Sequence, residues 1–155
     1  MKKITPKYGN IKLLRSLLYK MFQTQYQIFH LLFISEQKVP INDIKTDIRP
    51  LLESNICCII DNKIKSNFRI TKIYETFILT DFPSYNGKDR VWYLLEDESI
   101  LFAKNIPDCS DKNVLDIGSG SGVLAIIASL NNAKSVIAID VSERAIEIGT
   151  FNAKL

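Results

Sequence analysis

The sequence predicts an α/β fold in which the start of a doubly wound parallel sheet follows a small α+β unit. Two observations near the carboxyl end support this prediction. A glycine-rich turn joins a short apolar strand to an apolar helix within residues 114–130, and a second β-branched strand follows at residues 135–139. With 155 residues, 46% of them hydrophobic, the chain is long enough for a real hydrophobic core.

The first element is a predicted amphipathic helix over Ile11–Ile34. Its large apolar residues recur near helical spacing, and its lysines lie mostly on the opposite face. Charged and amide side chains interrupt the segment, so it lacks the roughly 20 consecutive apolar residues of a membrane helix. We therefore expect a helix that packs on a neighbour and no membrane insertion. An acid-free amphipathic start also fits an organellar transit peptide, which remains a minor alternative.

A second helix of about three turns is predicted over residues 41–52, where Pro50 shortens or bends it. The periodicity then changes. Ile56–Ile60 is a β-branched run, residues 61–63 have turn chemistry, and the segments up to Leu79 have the composition of strands. Two helices followed by a hairpin resemble a small winged-helix-like unit.

The segment Asp81–Arg90 contains proline, asparagine and glycine and predicts an exposed connection. We therefore divide the chain into a helical and β-hairpin unit at residues 1–84 and an α/β unit at residues 85–155. A winged-helix shape with a basic first helix raises the alternative of nucleic-acid binding. No recognition helix crowded with Arg, Asn and Gln is visible, so an ordinary solvated helix face is the favoured interpretation.

The cysteines and the single histidine suggest no metal chemistry. Cys57, Cys58 and Cys109 are odd in number and lack the spacing of zinc ligands, which predicts free thiols and a cytoplasmic location. His30 lies on a largely apolar helix, where a packed or partly exposed histidine is commoner than a ligand or a base. We predict no metal site.

The glycine-rich segment carries the strongest functional signal. The buried-strand pattern Val114–Ile117 leads into Gly118–Gly122, and Val123–Leu130 continues as an apolar helix. This order is the nucleotide-binding start of an open α/β sheet. A ligand that lies across the end of the strand must approach the backbone closely, and glycines leave room for it. The first amides of the helix then face the ligand.

The second strand, Ser135–Ile139, ends in Asp140, which lies 20 residues beyond Gly120. A carboxylate at this position can accept hydrogen bonds from two vicinal ribose hydroxyls. Ser142 fits the N-cap of a following helix. The spacing separates this pattern from other nucleotide sites: no Gly-Lys-Ser or Gly-Lys-Thr follows the loop, and the glycines form G-x-G-x-G rather than the G-x-x-G ending of nicotinamide and flavin sites.

With Asp116 two residues before the first glycine, the run Val114–Gly122 is similar to the first motif of the Rossmann-like class I S-adenosylmethionine-dependent methyltransferases, and Val136–Asp140 resembles their second. The resemblance implies that Asp116 helps to hold the amino group of S-adenosylmethionine and that Asp140 binds its ribose. As alternatives, the glycines form a tight turn without a ligand and Asp116 caps the amides of the loop. The cofactor-binding residues that the resemblance implies are Asp116, Gly118, Ser119, Gly120, Gly122, Asp140 and Val141.

The segment Asp89–Ala103 resembles the lead-in of the small-domain methyltransferases and of the release-factor glutamine methyltransferases. There an acidic residue and a hydroxyl precede a helix beside the cofactor, and Asp97 and Ser99 are the matching positions. The alternative is that Ser99 is only a polar residue in a capping segment. The helix-and-hairpin unit also resembles the N-terminal, substrate-facing domain of some members of this group.

The catalytic signature of these families, an Asn-Pro-Pro-Tyr or Asp-Pro-Pro-Tyr loop, is absent from the sequence, which reaches Leu155 before a doubly wound sheet is complete. We therefore predict the N-terminal portion of a methyltransferase, name no catalytic residue, and expect no detectable methyl transfer by this chain alone. The acceptor stays open among protein glutamine, an RNA base and a small molecule. The alternative functions are a non-catalytic protein- or nucleic-acid-binding module with a remnant cofactor site and, less favoured, a fragment of a nicotinamide-dependent oxidoreductase.

Overall fold

A computed structural model describes residues 4–92 and 98–155 of the chain, and the predicted mixed α/β composition is confirmed. The helices are α1 (Ile11–Thr24), α2 (Tyr26–Phe33), α3 (Arg49–Glu53), α4 (Ser99–Lys104), α5 (Val123–Leu130) and α6 (Glu143–Lys154). The strands are β1 (Val39–Pro40), β2 (Cys57–Ile60), β3 (Lys63–Ser66), β4 (Arg69–Ile73), β5 (Thr76–Thr80), β6 (Asn113–Ile117) and β7 (Ser135–Ile139).

The single helix predicted over Ile11–Ile34 is wrong, because the segment forms two helices. The backbone leaves the helical region at Gln25, with φ −138° and ψ 47°. The side-chain carbonyl of Gln25 accepts a hydrogen bond from the backbone amide of Lys45 at 2.9 Å. This hydrogen bond stabilises the interruption at Gln25. Both α1, before it, and α2, after it, bury an apolar face.

The three-turn helix predicted over residues 41–52 is also wrong. The structure has a short 3₁₀ turn at Ile41–Asp43 and one α-helical segment, α3, in which Pro50 stands in the first turn. Proline lacks the N–H that a helix interior needs, so a helix can begin at Pro50 but not pass through it. Pro50 therefore shortens the predicted helix more than the apolar periodicity indicated, and the helix is limited to Arg49–Glu53.

The strands of the amino-terminal half pair as antiparallel hairpins, as the sequence predicts. β1, β3 and β2 form a three-stranded sheet in that order, and β4 pairs with β5 from Arg69 opposite Thr80 to Ile73 opposite Thr76. Asp61 and Asn62 form the β2–β3 turn with positive φ, a conformation that Asp and Asn adopt more readily than most residues.

The carboxyl half has the predicted order of strand, glycine turn, helix and strand. β6 and β7 are parallel, with Asp116 opposite Ala138 and Ile117 opposite Ile139, and α5 connects them. The predicted N-cap is confirmed: the Ser142 hydroxyl accepts a hydrogen bond from the amide of Ala145 at the start of α6. The carboxyl ends of β6 and β7 consequently lie side by side next to the glycine turn.

The two halves pack against each other through strand β5. Phe77 and Leu79 on one face of β5 belong to a core cluster that α1, α2 and α6 also line, with Ile148 and Phe151 contributed by α6. Ile78 on the other face joins a second cluster with residues of α4 and α5. Because side chains alternate along a strand, β5 is buried on both faces between the two halves.

The predicted exposed connection Asp81–Arg90 is wrong at its beginning. Asp81 and Phe82 are buried, and the carboxylate of Asp81 forms an ion pair with Arg144 in which both side chains are about 1% exposed. The same carboxylate accepts a hydrogen bond from the amide of Val91 at 2.8 Å. An acidic residue two positions before a proline suggests an exposed turn, but here the buried cation of Arg144 compensates the charge of Asp81.

One face of the β6–β7 pair carries exposed apolar side chains. Parallel sheets are normally covered on both faces. Here α5 packs on one face, while Leu115, Ile117, Ile137 and Ile139 on the other are between 46% and 73% exposed. Within the described ranges, none of the helices has the length and hydropathy that crossing a bilayer requires.

Candidate functional site

The glycine loop lies at the carboxyl end of β6 and is folded by hydrogen bonds to the neighbouring strand. The amides of Gly118 and Ser119 both donate to the carbonyl of Ile139, at 2.9 and 3.0 Å. Gly118, Gly120 and Gly122 have φ of 72°, 54° and 76°. L-residues with side chains adopt this left-handed region at a cost, so the alternating glycines are required by the backbone itself.

Asp140, at the end of β7, holds the middle of this loop. One carboxylate oxygen accepts from the amide of Gly120 at 2.8 Å, and the other accepts from the amide of Ser142 at 2.9 Å. The hydrogen bonds from Ser142 and Gly120 lower the pKa of Asp140, and its slight burial opposes them only weakly. Asp140 is therefore ionised at neutral pH, and each oxygen keeps a further lone pair for a hydroxyl donor.

Asp116, inside β6, has a different environment. One of its carboxylate oxygens accepts from the amide of Ala125 in the first turn of α5 at 3.2 Å. Burial raises the pKa of Asp116, the hydrogen bond from Ala125 opposes this, and the nearby charge of Asp140 raises the pKa further. Asp116 thus caps helix α5 rather than the loop, and its charge lacks a cationic partner among the described residues.

These groups line one cleft of about 400 Å³, a size typical of small-molecule sites. Both carboxylates and the loop line it. Apolar and aromatic side chains from two other segments also line the cleft, together with Arg90. The guanidinium carbon of Arg90 lies 5.0 Å from the centre of the Trp92 ring. The lining residues outside the loop include Arg90, Val91, Trp92, Ser99, Phe102 and Ser142.

The structure brings most of the sequence-predicted residues together. Asp116, Gly118, Ser119, Gly120 and Asp140 line the cleft, and so does Ser99 at the start of α4. Gly122 and Val141 do not. Gly122 is the N-cap of α5 and is packed against α6, while Val141 is fully exposed next to Asp140. Asp97, the other residue of the predicted lead-in, lies outside the described residues.

Two residues of α6 that support the loop were not predicted from the sequence. A methyl group on Gly149 would lie 3.4 Å from the carbonyl oxygen of Gly120, so the helix backbone approaches the loop closely. Asn152 donates a hydrogen bond to the carbonyl of Ser121 at 2.9 Å. The sequence does contain a signal for them, because they share the apolar stripe of α6 with Ala145, Ile148 and Phe151. A glycine or a polar residue on such a buried stripe indicates a close backbone contact or a buried hydrogen bond.

The chemistry of the cleft suits a ligand that is cationic near Asp116 and carries hydroxyl donors near Asp140. Two carboxylates beside a backbone loop attract positive charge and accept hydrogen bonds, while the aromatic walls favour an apolar body. Among residues 4–92 and 98–155, no group of three or more His, Cys, Asp or Glu side chains could hold a metal ion. The arrangement therefore indicates binding of a small organic molecule.

Comparison with known proteins shows a family similarity for the carboxyl-terminal part of the chain. Residues 100–155, which contain the loop, both carboxylates and helices α5 and α6, match the family described as ribosomal protein L11 methyltransferase (PrmA). The predicted resemblance to S-adenosylmethionine-dependent methyltransferases is confirmed for this part of the chain.

Individual relatives match over segments of similar length. An archaeal protein of Methanocaldococcus jannaschii, assigned as a protein N5-glutamine methyltransferase, is 37% identical over 59 residues, which are 38% of this chain and 30% of that protein. The ribosomal protein L11 methyltransferase of Ruminiclostridium cellulolyticum is 47% identical over 57 residues, which are 37% of this chain and 17% of that protein. The matched segment thus spans less than a third of either relative.

Proposed function

We propose that this chain contributes the S-adenosylmethionine-binding part of a methyltransferase. The observation that carries the proposal is the arrangement of Asp116 and Asp140 on either side of the glycine loop, at the adjacent carboxyl ends of two parallel strands. Open α/β sheets bind their ligands at this edge. The family match over residues 100–155 gives the same class independently of the geometry.

The residues present fit the chemistry of this cofactor. Asp116 would hold its amino group, and Asp140, ionised and with lone pairs to spare, would accept from the ribose hydroxyls. Gly118, Ser119 and Gly120 would leave space for it beside the backbone. When bound, the cofactor supplies an electrophilic methyl group, and the task of this part of the chain is to bind and orient it. We assign no catalytic residue, because nothing in these 155 residues matches the acceptor-binding signature.

We propose a protein as the methyl acceptor, since the names of the matched relatives specify ribosomal protein L11 and protein glutamine. We also propose that β6, α5 and β7 begin a Rossmann-like doubly wound sheet. Their parallel pairing, the helical crossover and the exposed apolar face that a second helical layer would cover all support this. Residues 1–84 would then form the substrate-facing, winged-helix-like unit.

Calorimetric titration of the purified chain tests the cofactor assignment. We expect saturable binding of S-adenosylmethionine and S-adenosylhomocysteine, and no binding of NAD at the same concentrations. Asp140→Ala should weaken binding about tenfold or more, since hydrogen bonds to a charged group contribute roughly 1.5–3 kcal/mol each.

A matched control exists in Asp108→Ala. Asp108 accepts a hydrogen bond from the amide two residues on, Ser110, just as Asp140 accepts from Ser142, but it is exposed and away from the cleft. Its replacement should leave the affinity unchanged. A folded chain that binds neither sulfur compound, or that binds NAD instead, would overturn the proposal.

A further inference from the structure

Strand β5 has one edge that its own hairpin does not satisfy. Within the described residues, β5 pairs with β4 alone, yet Leu79 on it is fully buried. The side chain of Asn152 from α6 completes this edge. Its carbonyl oxygen accepts from the amide of Leu79 at 2.9 Å, and its NH₂ group donates to the carbonyl of Leu79 at 2.9 Å. Asn152 therefore acts as a one-residue substitute for a neighbouring strand.

The same NH₂ group has a second partner in the glycine loop. It donates to the carbonyl oxygen of Ser121, also at 2.9 Å. Ser121 and Asn152 are only 5% and 2% exposed, so water does not compete for these groups. One buried amide thus joins the loop, helix α6 and the hairpin, and both of its polar atoms and both of its N–H bonds have partners.

We propose that Asn152 is a positioning residue for the glycine loop. It fixes this loop against strand β5, so that the affinity for the cofactor depends on the β4–β5 hairpin. The inference rests on the proposed function, because it takes the Gly118–Gly122 loop to be the cofactor-binding element. It assigns the hairpin a part in cofactor binding, in addition to any contact it makes with a methyl acceptor.

The physical argument concerns how the loop is held. Asp140 fixes Gly120 from the side of the cleft, whereas Asn152 fixes the next residue, Ser121, from the side of the core. Without the second contact, the loop keeps its hydrogen bonds to β7 and Asp140 but loses the hydrogen bond that joins it, through Asn152, to strand β5. A loop that must be ordered by the ligand binds that ligand more weakly than one that is held in place beforehand.

Two variants and a control test this. Asn152→Ala removes all three hydrogen bonds, and Asn152→Asp keeps the acceptor for the Leu79 amide but loses the donors to Leu79 and Ser121. The control is Ser66→Ala, which removes a hydroxyl that is equally buried and donates to the carbonyl of Phe68 at 2.7 Å. S-adenosylhomocysteine is titrated at a temperature at which circular dichroism shows each protein folded.

We expect both Asn152 variants to lose affinity at least tenfold and Ser66→Ala to stay within twofold of the parent chain, even if all three have lower melting temperatures. Folded Asn152 variants with parental affinity would overturn the inference and leave the proposed function intact. Failure of the parent chain itself to bind would overturn the proposed function and this inference with it.

If the Asn152 variants do not fold, hydrogen exchange of the unsubstituted chain tests the connection between the loop and strand β5. We expect S-adenosylhomocysteine to slow hydrogen exchange of the Leu79 amide, which donates to Asn152, while the β2–β3 hairpin exchanges at the same rate with and without the ligand. Slower exchange in the loop with no change at Leu79 would contradict the proposed connection.

Discussion

The carboxylate of Asp140 accepts a hydrogen bond from the backbone amide of Gly120 at 2.8 Å. The acidic residue that we assign to ribose binding therefore also shapes the loop that lies beside the ligand. A single residue at the end of β7 thus links the two sequence motifs, which are 20 positions apart and come together because β6 and β7 are parallel neighbours. Its replacement should affect both the loop and the ligand contacts.

Asp116 should give cofactor binding a distinctive pH dependence. Because burial raises the pKa of Asp116 while hydrogen bonds lower that of Asp140, Asp116 takes up a proton first as the pH falls. We expect the affinity for S-adenosylhomocysteine to decline in that pH range, since a neutral carboxyl holds an ammonium group poorly. Asp116→Asn should weaken binding about tenfold at pH 7 and flatten this part of the profile. Calorimetry from about pH 4 to about pH 8 measures it, and an unchanged profile in Asp116→Asn would refute the assignment.

Asp116→Asn should also make the ligand-free protein more stable. A carboxyl whose pKa is higher in the folded chain than in the unfolded chain favours folding when protonated, and this contribution is lost as the pH rises through the folded pKa. The amide side chain of Asp116→Asn would avoid the cost of the buried charge, while its carbonyl oxygen still accepts from the amide of Ala125. We therefore expect Asp116→Asn to raise the melting temperature by roughly 1–3 °C at pH 7, and by less at about pH 4. A lower melting temperature at pH 7 would contradict the sign of the shift.

Gly149 should tolerate a methyl group but no larger side chain. A Cβ at this helical position would lie 3.4 Å from the carbonyl of Gly120, which is ordinary contact, so the gain in helix propensity should stabilise Gly149→Ala by up to about 1 kcal/mol. Gly149→Val would push the loop away and weaken cofactor binding. Urea unfolding and calorimetry measure the two effects. Equal affinity of both variants for the cofactor would mean that the helix and the loop are not closely packed.

The buried pair of Arg144 and Asp81 should be essential for stability. Burial opposes the charge on Arg144, but the hydrogen bonds and charge of Asp81 outweigh it and raise the pKa of the guanidinium. Arg144→Met leaves the Asp81 carboxylate buried without its cation, which typically costs about 3–5 kcal/mol. The double variant with Asp81→Leu should lose less than the sum of the two single variants. Additive losses in urea unfolding would show that the pair is not coupled.

The sequence predicted the carboxyl half well because its signals are local. Three glycines that must adopt positive φ, two β-branched strands and the Ser142 N-cap each specify their own structure within a few residues, and α5 and β7 have the predicted bounds. The aspartates could be placed because they directly follow, or lie within, those strands. Which amide each carboxylate binds depends on the packing of the loop, and the sequence does not contain that information directly.

The amino-terminal half was predicted less well because distant contacts decide it. The break at Gln25 is held by Lys45, and the burial of Asp81 depends on Arg144, which is 63 residues away. The local pattern of apolar and polar residues does not identify Lys45 or Arg144 as the partner in these contacts. The support of the loop by Asn152 was missed for the same reason, since it requires strand β5 and the glycine loop to meet on one side of α6.

The most direct test of the central claim is to observe the glycine loop while the cofactor product is added. In a ¹⁵N-resolved NMR titration with S-adenosylhomocysteine, we predict saturable shifts of the amides of Gly118 and Gly120. The amide of Gly9, which lies against Ser54 and does not line the cleft, should stay unchanged. The same titration of Asp140→Ala should need a much higher ligand concentration. Loop amides that do not move in a folded chain, or that move equally in Asp140→Ala, would contradict the assignment of this loop and Asp140 as a cofactor site.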